Sequence, residues 1–177
     1  MSKMLTNYEA RQQFYGLMFL FSFIFFGGFG LIRIIKNVQF NQNCGGHLEL
    51  AAHANTVELA KSQLEIAVKY MQDNKMIEGY TSVVYKTPDE DVGFWYTNMN
   101  NSLNELNEVK KDASSLEKSN ILIKLRESIM SSGEHGDNIM LPEGISIFPN
   151  NVVFSLWGYM SSLFLFISIC GCIVYKD

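Results

Sequence analysis

The 177 residues leave room for one soluble domain of about a hundred residues plus membrane elements. The formal net charge of −4 is unevenly spread: residues 37–149 hold 16 of the 18 acidic but only 9 of the 14 basic side chains, a balance of −7 (9 − 16). Nucleic-acid binders need clustered Lys and Arg to displace counterions, which excludes DNA and RNA from the expected partners. Three cysteines, two of them in the last hydrophobic run, offer no disulfide framework, so the polar segment has to fold on an apolar core.

Residues 1–13 form a short polar tail. Phe14 to Ile32 then runs 19 residues without a charge, and with its flank to Lys36 it reads as a first transmembrane helix, 14–36. It exceeds the ~7–15 apolar residues of a signal peptide, and no small-residue cleavage site follows, so it is expected to be retained. At the other end, Val152 to Val174 is a second uncharged run, long enough at ~1.5 Å per residue to cross a ~30 Å hydrocarbon core, and defines a second span at 150–175. Only Lys176 and Asp177 follow it, so activity is expected in the spans or between them. No Lys or Arg occurs between Arg126 and Lys176, so the short-loop charge bias places both termini in the cytoplasm and residues 37–149 outside it.

The outer segment reads as three or four helices. Gly45 and Gly46 are expected to break the chain; Leu50, Val57, Ala60, Leu64, Ala67 and Met71 then form one stripe on a helix of about 47–77, ended by Gly79. Tyr80 to Lys86 reads as an extended crossover. Thr87-Pro88-Asp89-Glu90 combines a Thr cap, Pro at the first helical position and Glu three residues after the cap, predicting a helix from Pro88 with Val92, Trp95, Met99, Leu103, Leu106 and Val109 on one face. Ser114 and Glu117 repeat that spacing for a helix of about 115–131, carrying Leu116, Ile121, Leu122, Leu125 and Ile129 inward. Gly133 and Gly136 are expected in a loop, and Met140 to Pro149 in an extended return, with Pro149 and Asn150-Asn151 starting the last helix. The fold class is therefore an all-α membrane protein, with two transmembrane helices flanking an extracytoplasmic three- to four-helix domain.

Several residues carry candidate chemistry. Cys44, His47 and His53 could offer one sulfur and two nitrogens to a metal, with His135 the remaining imidazole; their spacing matches no zinc pattern, and a loop cysteine with one half-buried His is the preferred reading. Cys44 could also cross-link two copies. The carboxylates of Asp89, Glu90 and Asp91 lack the alternating oxygens and central Gly of a calcium loop and suit a helix N-terminus instead. Phe94, Trp95 and Tyr96 cannot all face inward from one helix, so they are both core and the candidate interaction surface. Gly27, Gly28, Gly158 and Ser162 are the candidate helix-packing positions, Gly158-x-x-x-Ser162 being a small-x-x-x-small pattern. No nucleophile elbow, phosphate loop or His-Glu-x-x-His occurs, so neither an enzyme nor a cofactor is expected.

The order short tail, span, outer helical domain, span is similar to the sensor half of bacterial transmembrane receptors such as chemoreceptors, a likeness of architecture that rests on no motif. The leading expectation is a non-enzymatic membrane protein of the cell envelope, inserted in an inner or plasma membrane, whose outer domain is an interaction or scaffold module. Its partners would be the bilayer and a membrane or envelope protein, a second copy of the chain included. The alternative that the resemblance implies is a ligand- or metal-sensing subunit signalling through a separate partner.

Overall fold

The computed structural model describes residues 2–133 and 136–175, with side chains from Tyr8 onward except over 132–137. The chain is mostly helical and divides into two compact units, Met1–Ile35 with Val152–Asp177, and Lys36–Asn151.

The first unit is an antiparallel helix pair. Helix α1 spans Ser2–Phe40 and helix α6, numbered in chain order, Asn151–Val174; both are long and apolar enough to cross a membrane. Their shared seam recurs at intervals of three and four: Tyr15, Met18, Ser22, Phe25 and Phe29 on α1, and Phe154, Trp157, Ser161, Leu165, Ser168 and Cys172 on α6. Tyr15 stacks on Tyr175 with centroids 5.5 Å apart, and Phe25 lies 5.4 Å from Trp157. Arg11 closes one end by donating to the Tyr175 hydroxyl over 3.0 Å. The buried Ser161 and Ser168 hydroxyls donate to the Gly158 and Leu165 carbonyls of their own helix, so they line the seam without an unsatisfied proton. Most of the described leucines, isoleucines and phenylalanines off the seam are exposed.

The second unit is built around α3 (Val57–Asp73), which packs against α2 (Gly46–Ala52), α4 (Val92–Glu108) and α5 (Ser115–Ile129). Gly45 and Gly46 do not break the chain as expected. They complete a π-helical turn, Asn41–Gly45, in which Gly46 N–H donates to the Asn41 carbonyl. Space is tightest at Gly46, where an added Cβ would lie 3.0 Å from the Asn41 backbone oxygen; one at Gly45 would meet the Asn41 side-chain Oδ1 at 2.7 Å, which that side chain can relieve by turning away. The expected helix of 47–77 is instead two helices separated at 53–56, with Thr56 capping α3 by accepting from Leu59 N–H at 3.2 Å. The break changes the phase: Leu48, Ala51 and Ala52 are buried, while Leu50 is exposed. Helix α3 ends at Asp73 rather than near Gly79, and Lys75 takes the left-handed turn after it at φ 58°.

The start of α4 also differs from expectation. Thr87 and Glu90 do form a local box, the Thr87 hydroxyl donating to Glu90 Oε2 at 2.5 Å and Glu90 N–H to Thr87 O at 3.1 Å, but Pro88–Glu90 is only a 3₁₀ turn. Thr81 N–H takes the Glu90 carbonyl and Tyr80 bridges to Asp91, pulling those residues into extended backbone. Asp91 therefore caps α4, accepting from Phe94 N–H at 3.0 Å. After α5, β1 (Met130–Gly133) and β2 (Gly136–Ile139) pair antiparallel where a loop was expected. The return to α6 is not wholly extended: Ile145–Ile147 is a 3₁₀ turn entered through Gly144 at φ 74°, and Asn151 Nδ2 donates to the Gly144 carbonyl.

Candidate functional site

The one-helix aromatic run separates by phase, since successive residues point about 100° apart. Asp91 fixes where α4 begins, and from that start Trp95 falls on the stripe with Val92, Met99 and Leu103, all buried. Trp95 is 7% exposed and its Nε1–H donates to the Met140 carbonyl over 3.1 Å. That bond holds the return segment beside α4. Phe94 points away and is 64% exposed, while Tyr96 is half-buried, its hydroxyl accepting from Gln72 Nε2 at 2.9 Å.

Between these elements lies an open cleft of about 300 Å³. Pro88, Asp89, Asp91 and Phe94 form one wall, Met140, Leu141 and Pro142 the other, and Trp95, Met99, Asn98 and Ser128 complete the lining. A second hollow of about 290 Å³, lined by Tyr80, Lys86, Pro88, Asp91 and Phe94, shares three residues with it, so Phe94 borders both. Sequence reasoning found Phe94 and Trp95 but missed Pro88 and the Met140–Pro142 wall. The only sequence signal for that wall was an apolar Met-Leu-Pro interrupting a polar return, and its partner, the Trp95 ring nitrogen, lies 45 residues earlier.

The metal candidates are placed elsewhere. Cys44 is neither in a loop nor available for cross-linking: it is 0% exposed in the π turn, its thiol 3.9 Å from the Ala67 carbonyl, and burial pushes its pKa to about 12. His47 Nδ1 lies 2.8 Å from Gln63 Oε1, and His53 Nδ1 lies 3.1 Å from the Glu49 carbonyl. Among the described residues no three His, Cys, Asp or Glu side chains gather as a metal site would require; His135 lies outside them.

Of the helix-packing candidates, Gly158 faces the Phe29 ring, which an added Cβ would meet at 3.0 Å, and a Cβ added at Gly28 would lie 4.0 Å from the Trp157 ring. Gly27 faces open space and Ser162 is exposed. The small residues in the seam are Ser22, Gly158, Ser161, Ser168 and Gly171, with the Tyr15 ring seated where a Gly171 side chain would be. The four-residue spacing pointed one position too far because the seam alternates threes and fours. No known protein family, no curated protein and no solved structure matches this chain.

Proposed function

We propose that the chain is a two-span membrane protein whose 36–151 unit is a non-enzymatic interaction module held outside the cytoplasm in the cell envelope. Support for the membrane part comes from the two long apolar helices, whose large side chains face outward instead of into a protein core. Support for the orientation comes from the charge bias around Lys176. The observation that carries the interaction reading is Phe94, a large apolar side chain that is exposed between two hollows on an otherwise well-packed helix. The experiment is recovery of the full chain from its native membranes in mild detergent. A stoichiometric protein partner, lost on Phe94→Ala while the melting transition stays within about 0.5 kcal/mol of the parent, is the expected result. Recovery of the same partner with Phe94→Ala would overturn the role of this surface, and a partner-free chain carrying a small bound molecule would favour the ligand-sensing reading that the cleft also admits. Orientation is checked with all native cysteines changed to Ala: an impermeant reagent should modify Lys111→Cys and spare Ser2→Cys.

A further inference from the structure

We infer that the cleft between Pro88 and Pro142 takes a basic peptide segment of a protein partner, anchored by one bulky apolar side chain. This rests on the interaction reading above and adds the chemistry of the occupant. Three properties of the cleft select it. The first is size: about 300 Å³ sits at the bottom of the ~300–1,000 Å³ range of small-molecule sites, enough to seat an anchor side chain from a longer chain crossing the open rim. The second is the lining, in which Phe94, Trp95, Met99, Met140 and Leu141 give the apolar contact that a buried anchor needs.

The third is charge and hydrogen-bonding sense. Among the described residues, the only ionisable ones lining the cleft are Asp89 and Asp91, in a segment whose balance is −7. Several donors at the rim are missing or already engaged. Pro88 and Pro142 have no N–H, Met140 N–H is engaged by the Ile129 carbonyl at 2.8 Å, and Asp91 N–H by Pro88 O at 3.4 Å. The Trp95 indole N–H is likewise engaged by Met140 O. An anion would meet the two carboxylates, with the Asn98 amide as the side-chain donor beside them, whereas Lys or Arg flanking the anchor would meet acceptors and complementary charge.

The test uses the full chain in phosphatidylcholine nanodiscs with Trp157→Phe, leaving Trp95 in the cleft as the only indole. Its emission is titrated with acetyl-Lys-Lys-Phe-Lys-Lys-amide, the same peptide with Ala for Phe, and the same peptide with Glu for every Lys, each against empty discs. The Lys-Phe peptide should give a saturable change and bind about tenfold or more tightly than the Ala version, the yield of burying one aromatic ring. It should weaken about two- to fivefold with Asp89→Lys and lose saturation with Leu141→Asp. The Glu peptide should not bind. Equal affinity for the Phe and Ala peptides, equal affinity for the Lys and Glu peptides, or no saturable response from the parent would each overturn the proposal. Loss of a native partner on Phe94→Ala together with a silent Trp95 would leave the interaction reading standing and discard only the basic occupant.

Discussion

The two units differ in which residues they bury fully where helices meet. In the α1/α6 pair the fully buried residues are small, Ser22, Ser161, Ser168 and Gly171, with rings such as Tyr15, Phe29 and Trp157 half-buried against them, while most leucines and isoleucines are exposed. In the 36–151 unit the arrangement is that of a water-soluble core, with Leu48, Leu64, Met71, Met99 and Ile129 fully buried. Where the surrounding medium is itself apolar, burying Leu gains nothing, and helices associate through close backbone approach and ring-into-notch packing. In water the gain comes from removing apolar area from solvent. The two units carry the packing that each medium favours, and the difference can be tested residue by residue.

The largest expected effect is in the water-type core. Trp95→Ala removes the buried ring and its bond to Met140 O, and should lower the unfolding free energy of the 36–151 unit by ~3–5 kcal/mol in urea titration of the reconstituted chain. Leu163→Ala, an exposed position on α6, should leave the stability of either unit almost unchanged in detergent. If the two substitutions cost the same, the contrast between the units fails.

Next comes the inverse experiment in the helix pair, where enlarging a residue should do the damage. Gly171→Leu places a side chain in the volume of the Tyr15 ring and should destabilise the pair by about 1–3 kcal/mol in mixed-micelle unfolding. Tyr15→Ala in the same chain should recover part of that loss, because the two sites share one contact. Strict additivity of the two changes would show that the notch is not where the helices meet.

Cysteine sharpens the comparison further, since Cys44 belongs to the buried core while Cys170 is exposed on α6. Burial raises the Cys44 pKa from 9.0 to about 12, so the folded state keeps a proton that the unfolded chain releases. Its stabilising effect is therefore complete below pH ~9 and is lost progressively between pH ~9 and ~12. At about pH 10.5 the unit should be weaker by roughly 2 kcal/mol than at pH 8, and the slope should be shallower in Cys44→Ala. Tyr70, raised by burial first and by Cys44 second, keeps part of the slope in the variant. Identical slopes in the two proteins would show that the thiol is hydrated in the folded state.

What the sequence made legible follows the same division. Both long apolar helices were readable because length and composition suffice, and the stripes Val57-Ala60-Leu64-Ala67-Met71 and Val92-Trp95-Met99-Leu103-Leu106 are buried as their spacing required. Leu50 and Leu116 were misjudged for different reasons. Leu50 precedes a break whose cap, Thr56, was overlooked, and Leu116 sits in the first turn of α5, before that helix reaches the core. The cleft was half legible, through Phe94 and Trp95, because its other wall exists only once the return segment docks on the indole. Phase along a helix is local information, whereas the Trp95–Met140 bond is not.

The smallest effect concerns the residue that sets that phase. Two caps compete in Thr87-Pro-Asp-Glu-Asp91, and sequence spacing favours Thr87 because its Glu90 partner completes a box. The structure gives the α4 amide to Asp91 instead, since the Glu90 carbonyl is taken by Thr81 N–H and cannot propagate a helix from Pro88. Asp91→Ala should then cost about 1 kcal/mol, and Asp91→Asn, which keeps the accepting oxygen, only a few tenths. Thr87→Ala removes a hydroxyl that bonds a side chain at a partly exposed turn and should cost less than about 0.5 kcal/mol. Thermal unfolding of the three variants decides the order. A Thr87→Ala loss larger than that of Asp91→Ala would restore the helix start at Pro88. It would also require a different account of why Phe94 faces the cleft and Trp95 the core.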